Sequence, residues 1–318
     1  MPVRFNAPGL GGTTGPLLRH QWEISLSYRY LTANRWYVGT EVNEGAAPFG
    51  KPLFINIHSV DVTIKYALSD RVTLTTTLPF STGTHSRFYG DGKRHEVGAA
   101  GLGDITAVTS AWLWNPRKHE SGNLAVSVGL KTPTGDNEAT DNFFLPGGLV
   151  TRNVVDQSIQ LGDGGWGFIA QAEGFRKLLN RSSTYVSASY LFSPKDKTGV
   201  KSPYPGVSLS VPDVYSARAG VAYAILPKHN LYASLGLRAD GIPIRDLIGD
   251  SNGFRRPGYS LFIDPGFGIG LGRGIFSFNI PVRIHQDFER SLVDRELGKL
   301  GGGDLAKYLV FASYSIRF

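Results

Sequence analysis

The chain has 318 residues, 33 of them basic and 26 acidic, with 40 Gly, 14 Tyr, 18 Phe and no Cys. The missing cysteine excludes a disulfide framework, thiol catalysis and thiolate metal sites. The net charge of +7 is scattered singly rather than gathered in a Lys/Arg run, which argues against a nucleic-acid partner.

The mean hydropathy is −0.12, and no stretch approaches the roughly 18 apolar residues of a membrane helix. A membrane is not excluded, because a barrel strand needs only about 9–11 residues of alternating character. The start, MPVRFNAPGLGGTTGPLL, has no apolar h-region and is not a signal peptide. The expectation is that one was removed before this numbering begins. Residues 1–19, rich in Gly and Pro, are expected to be a periplasmic tail or a lumen plug. Residues 20–318 are expected to form one barrel domain.

Twelve segments alternate with period two. The first, about 20–31, sets Trp22, Ile24, Leu26, Tyr28 and Tyr30 against Glu23, Ser25, Ser27 and Arg29. About 54–68 sets Val60, Val62 and Ile64 against Asp61, Thr63 and Lys65, and about 71–81 follows after Ser69-Asp70. About 103–114 is ambiguous, with Asp104 placed inward; about 123–132 is clean, with Lys131 inward. The segments about 165–177, 183–193, 213–226 and 230–240 point Glu173, Arg218, Arg238 and Asp240 away from their apolar faces. About 258–271 turns Asp264, Gly266, Gly268 and Gly270 inward, and about 275–286 does the same for Arg283 and His285. The last segment, Tyr308–Phe318, alternates to the carboxy-terminus, its intervening residues turning polar toward the end.

The connections alternate as well. The gaps after even-numbered segments are short. Those after odd-numbered ones, about 32–53, 82–102, 133–164, 194–212, 241–257 and 287–304, are long. An antiparallel barrel with both termini on one side of a membrane gives this pattern, whereas a soluble sandwich has no reason to sort its loops by length. The fold expected is all-β, a transmembrane 12-stranded antiparallel up-and-down barrel. Only 287–300 hints at a helix, a short one within a loop.

The terminal strand resembles the closing strand of a bacterial outer-membrane barrel. That likeness implies that Tyr314, Ile316 and Phe318 are read by the barrel-assembly machinery. Gly101–Asp104 (GLGD), Val128–Asp136 (VGLKTPTGD) and Gly162–Gly167 (GDGGWG) resemble motifs of the outer-membrane proteins of the phenol meta-cleavage pathway family. The resemblance covers roughly the middle third by motif and the whole chain by layout. It implies location in the bacterial outer membrane, bilayer lipids as surroundings, and passage of hydrophobic or aromatic solutes.

The inward ionisable set expected to line the lumen is Arg29, Asp61, Lys65, Asp104, Lys131, Glu173, Arg218, Arg238, Asp264 and Arg283, joined by Glu23, Asp240, His285, Lys307 and Arg317. Mixed signs suit a pore with a mild anion preference or, equally, a charge lattice that crosslinks the wall. Phe143, Phe144 and Leu145 in the loop 133–164 are expected either to fold inward as a constriction or to pack against neighbouring loops. The acids of that loop lack EF-hand spacing, and no metal or other cofactor is expected. No G-x-S-x-G, H-E-x-x-H or P-loop occurs, so no catalytic residue is named and an enzyme is not expected. The reading is a channel or uptake protein. The alternative is a non-transporting structural barrel whose outer loops bind a partner protein or surface filament.

Overall fold

The computed structural model describes residues 16–318, apart from the side chains at positions 304 and 305. Most of the plug-or-tail segment therefore lies outside the described residues. The rest is a closed antiparallel barrel of twelve wall strands. They are β1 (Trp22–Val38), β2 (Phe54–Ala67), β3 (Val72–Phe88), β4 in two pieces (Arg94–Leu102 and Thr106–Trp112), β5 (Gly122–Lys131) and β6 (Gly167–Leu179). Then come β7 (Ser182–Phe192), β8 (Val214–Leu226), β9 (Leu231–Ile242), β10 (Gly258–Leu271), β11 in two pieces (Gly274–Asn279 and Val282–Phe288) and β12 (Gly303–Arg317). Each strand pairs with its sequence neighbours, and β12 returns to β1 from Glu23↔Arg317 to Tyr37↔Gly303. Closure leaves no unpaired edge, which a sheet in hydrocarbon requires.

The outer face is apolar. Trp22, Ile24, Leu26 and Tyr28 on β1, Val126, Val128 and Leu130 on β5, and Leu235 and Leu237 on β9 are all exposed. Eight steps separate Trp22 from Tyr30, about 26 Å along the strand at about 3.3 Å each. Tilted by about 40°, they give roughly 20 Å of height, close to the apolar band of about 25 Å on bilayer barrels. Aromatics mark both borders. Trp22 lies tilted against Tyr66 at 4.4 Å near the turn end. Toward the other border Tyr30 lies tilted against His58 at 4.8 Å, and Phe80 and Trp166 are exposed. Phe318 ends the chain beside Trp22, bonded to it in both directions. The terminus thus lies at the end that carries the short turns.

The loop end differs from expectation in one respect. Most of the expected loop 82–102 is strand: β3 continues to Phe88, turns at residues 89–93, and returns as the first piece of β4. This hairpin overhangs the upper aromatic border. Its small polar residues (Thr82, Thr84, Ser86) carry no apolar alternation. Two small hairpins, Thr140–Phe144 with Val150–Val154 and Lys197–Lys201 with Ser208–Ser210, lie in the loops. The short helix α1 (Leu292–Glu296) falls within 287–300, where one was expected, and is closed by a Ser291–Asp294 capping box.

Candidate functional site

Two cavities among the described residues follow one another along the barrel interior. The lower one, toward the turn end, has a volume of about 310 Å³. Inward positions of β1, β2 and β3 supply Ser25, Ser27, Thr63, Thr75 and Thr77 to its lining. Facing hydroxyls pair across the strands: Ser25–Ser315 at 2.7 Å, Ser277–Ser313 at 2.6 Å, Thr63–Thr77 at 3.1 Å and Ser127–Ser110 at 2.8 Å. The ambiguous β4 is settled here, since Thr106, Val108, Ser110 and Trp112 face inward. Space on the glycine side of the wall is not left open. Tyr232 lies over Gly268, Asn279 over Gly266, and Tyr185 over Gly220 and Gly236, where a methyl group would collide with each. The inward glycines are the beds of large side chains, which narrows the lumen.

Most of the expected lining charges are tied to the wall. Glu23 accepts from Lys65 at 2.9 Å and from Arg317 at 2.7 Å. Arg218 pairs with Asp264, and Arg238 with Asp240 at 2.7 Å. Asp264 also accepts from Asn279 at 3.0 Å. Arg29, Asp61 and Glu173 line the same cavity. Arg283 sits higher, donating to the Tyr37 hydroxyl at 2.5 Å with its guanidinium over that ring. Two residues placed inward by parity are exposed instead. At His285 the register shifts between Leu261 and Phe262, so a bulge turns the imidazole outward to Tyr259. At Lys307 the register also skips, between Thr32 and Ala33, and its side chain is exposed.

The second cavity, about 560 Å³, lies under the loops. Between the two along the strands lie buried apolar side chains: Leu31 of β1, Ile57 of β2, Phe262 of β10 and Leu309 of β12. Ile159 joins them from the loop 133–164, seated against Gly83 on β3. That loop is fixed at the break in β4. Lys131 Nζ donates to Asp163 at 2.6 Å, to the Gly165 carbonyl at 2.6 Å and to Asp104 at 3.2 Å. Asp104 in turn accepts from the Gly135 N–H at 3.0 Å. The part of the loop that enters the mouth is therefore the returning limb, 155–163. Phe143 and Phe144 pack beside the overhanging hairpin, with Phe144 stacked on His95 at 3.6 Å and both rings edge-on to Tyr89. Leu145, which follows them, donates its N–H to the Leu149 carbonyl across the tip of its own hairpin.

Within this limb Asp156 faces buried His85 and Arg256. Burial alone would raise the Asp156 carboxyl, but His85, Arg256 and the Ser158 N–H overcome it and hold it well below the usual carboxylate range. Burial pushes the His85 imidazole down, as do Arg87 and Arg256, against the opposing pull of Asp156. Among the described residues no group of three or more His, Cys, Asp or Glu could hold a metal.

The upper cavity was not legible in advance, because its lining comes from the ends of β1, β2, β8, β9 and β11, from the overhang and from five loops. One signal was present. On β12 the inward residues change from Ser313 and Ser315 to Phe311 and Leu309, and a strand apolar on both faces marks a dry interior.

No protein-family profile matches the chain. No curated protein matches it either. Among solved structures, an outer membrane channel from Pseudomonas putida F1 superposes with a TM-score of 0.62 at 15% identity, over 99% of this chain and 100% of that one. The translocator domain of the autotransporter NalP from Neisseria meningitidis gives 0.47 at 12% identity, over 98% of this chain and 90% of that one. The toluene transporter TodX from P. putida gives 0.45 at 11% identity, over 96% and 91%. At these identities the first match shows a shared barrel fold along the whole chain, as the strand and loop layout had indicated.

Proposed function

We propose that this protein is an outer-membrane channel or uptake protein for small hydrophobic or aromatic molecules. One observation carries the reading: a lipid-facing closed barrel holds two cavities in line, apolar under the loops and hydroxyl-lined below. The whole-length likeness to an outer membrane channel supports it. So does the resemblance to the phenol meta-cleavage pathway proteins, which favours aromatic solutes. Bilayer lipids surround the belt, and the assembly machinery reads Tyr314, Ile316 and the exposed Phe318. The lining charges Arg29, Lys65, Lys131, Glu173, Arg218, Arg238 and Arg283 set the polarity of the lumen and do not react. Of the two forms expected for residues 1–19, a periplasmic tail or a lumen plug, this reading takes the plug. Pro16 and Leu17 already line the lower cavity, which supports it.

Purified protein in planar bilayers and in swelling liposomes tests the proposal. Measurable conductance, with faster entry of aromatic acids than of sugars, is the expected result, and deletion of residues 2–15 raises the conductance. A silent barrel under every condition rejects it. The packed Leu31–Leu309 layer is the observation that favours the alternative, a structural barrel whose loops bind a partner, and a silent barrel is what that alternative predicts.

A further inference from the structure

The upper cavity contains two arginines held in an unusual way. Arg87 has its guanidinium 4.8 Å from the Tyr89 ring centre and 5.8 Å from that of Phe143. Its Nε–H is shielded from solvent and meets no acceptor among the described residues. Arg256 lies 4.7 Å over Trp36 and 5.4 Å over Phe254, and donates to the Gly302 carbonyl at 2.6 Å. Stacking fixes the plane of a guanidinium and leaves its edge to hydrogen-bond. A stacked arginine with an unmet donor is a preformed seat for a planar anion.

Charge narrows the class. Four cations line the cavity (Arg87, Arg255, Arg256 and Lys299) against three carboxylates (Asp156, Asp163 and Asp294), with buried His85 held toward its neutral form. Arg255 is matched by Asp246 outside the lining, at 2.5 Å, and Asp163 by Lys131. Asp294 accepts from Ser291 and Tyr204. Asp156 accepts from the Ser158 N–H and faces Arg256. The set is left with one positive charge in excess. A dianion would be repelled by the three carboxylates, and a neutral solute would leave the Arg87 edge bare. Much of the remaining lining is apolar, including Trp36, Leu53, Ile55, Ile242, Phe288 and Leu300. A volume of about 560 Å³ suits a small amphiphile.

We propose that the upper cavity is a binding site for a monoanionic amphiphile, an aromatic or medium-chain monocarboxylate, with Arg87 seating the carboxylate and the Trp36–Leu300 wall covering the apolar body. The site rests on the channel reading only for its use in uptake, since binding itself requires no transport.

The test is isothermal titration of the full chain in a nonionic detergent with benzoate and octanoate, set against benzyl alcohol and octanol. Arg87→Gln and Arg87→Lys run beside the parent, with circular dichroism confirming the barrel in each. The carboxylates are expected to bind at least about tenfold tighter than the alcohols, as a charge-assisted hydrogen bond in a shielded site implies. Arg87→Gln should erase that margin and leave the alcohols unchanged. Arg87→Lys should recover only part of it, since the ammonium lacks the planar fork. Equal binding of acids and alcohols, no binding of either, or an Arg87→Gln protein that keeps the margin overturns the site. Each result stands independently of liposome swelling, so a barrel that binds octanoate but passes nothing would refute the channel and keep the site.

Discussion

The two halves of this barrel share one wall and follow opposite rules inside it. Toward the turn end the inward positions are rich in Ser, Thr and charged residues, and several of the charges are answered within the wall: Glu23 by Lys65, Arg218 by Asp264 and Arg238 by Asp240. Toward the loop end the same strands turn Leu31, Ile57 and Leu309 inward, and the loop 133–164 folds down to meet them. The lower half is held by pairs across the wall. The upper half is held by packing, with an inserted limb as its centre. Stability below should therefore depend on charge partners, and closure above on the fit of a few apolar side chains.

The largest effect is expected from splitting a lower pair. Asp264→Ala leaves Arg218, buried at 4% side-chain exposure, without its carboxylate. Loss of about 3–5 kcal/mol is expected in urea unfolding, and the double change Arg218→Met with Asp264→Leu should recover most of it. Equal stability of the single and double variants would contradict the wall-pair account. Next in size, Ile159→Asp places a charge in the dry layer and should release the inserted limb. Single-channel conductance should then rise while the barrel stays folded; unchanged conductance would mean that the layer is not the barrier.

Acid should do the same more gently. The docked imidazole of His85 is depressed below its ordinary 6.5, so docking is strongest above that pH and weakens as pH falls through it. The Asp156 carboxyl is depressed from 3.8, so its contribution holds above that value and is lost below it. Both slopes have the same sign. Conductance should climb reversibly between about pH 6.5 and 4, and His85→Gln should flatten the upper part of that rise. The smallest effect belongs to Ser25→Ala. Its partner Ser315 faces the lower cavity and can turn to water, so thermal unfolding should register less than about 1 kcal/mol.

The wall was readable because a lipid face forces alternation. Trp22 to Tyr30, Leu124 to Leu130 and Leu231 to Leu237 each set an apolar face against a polar one, and Lys131, Arg218 and Asp264, which parity turns away from lipid, are buried. Parity failed where a bulge adds a residue, at His285 and Lys307, because nothing local in the alternation reports the slip. It also fell silent above the upper border, where the β3–β4 hairpin carries no apolar alternation. The upper cavity is a meeting of strand ends and loops: Arg87, Arg256, Trp36 and Tyr204 are far apart in the chain, and no motif ties them together. Its charge balance appears only once the partners of Arg255 and Asp163 are known.

Leu309 sits at the seam where β12 pairs with β1, and the same side chain belongs to the buried apolar cluster inside. A change that loosens that seam would therefore disturb the interior packing together with the circumference of the cylinder.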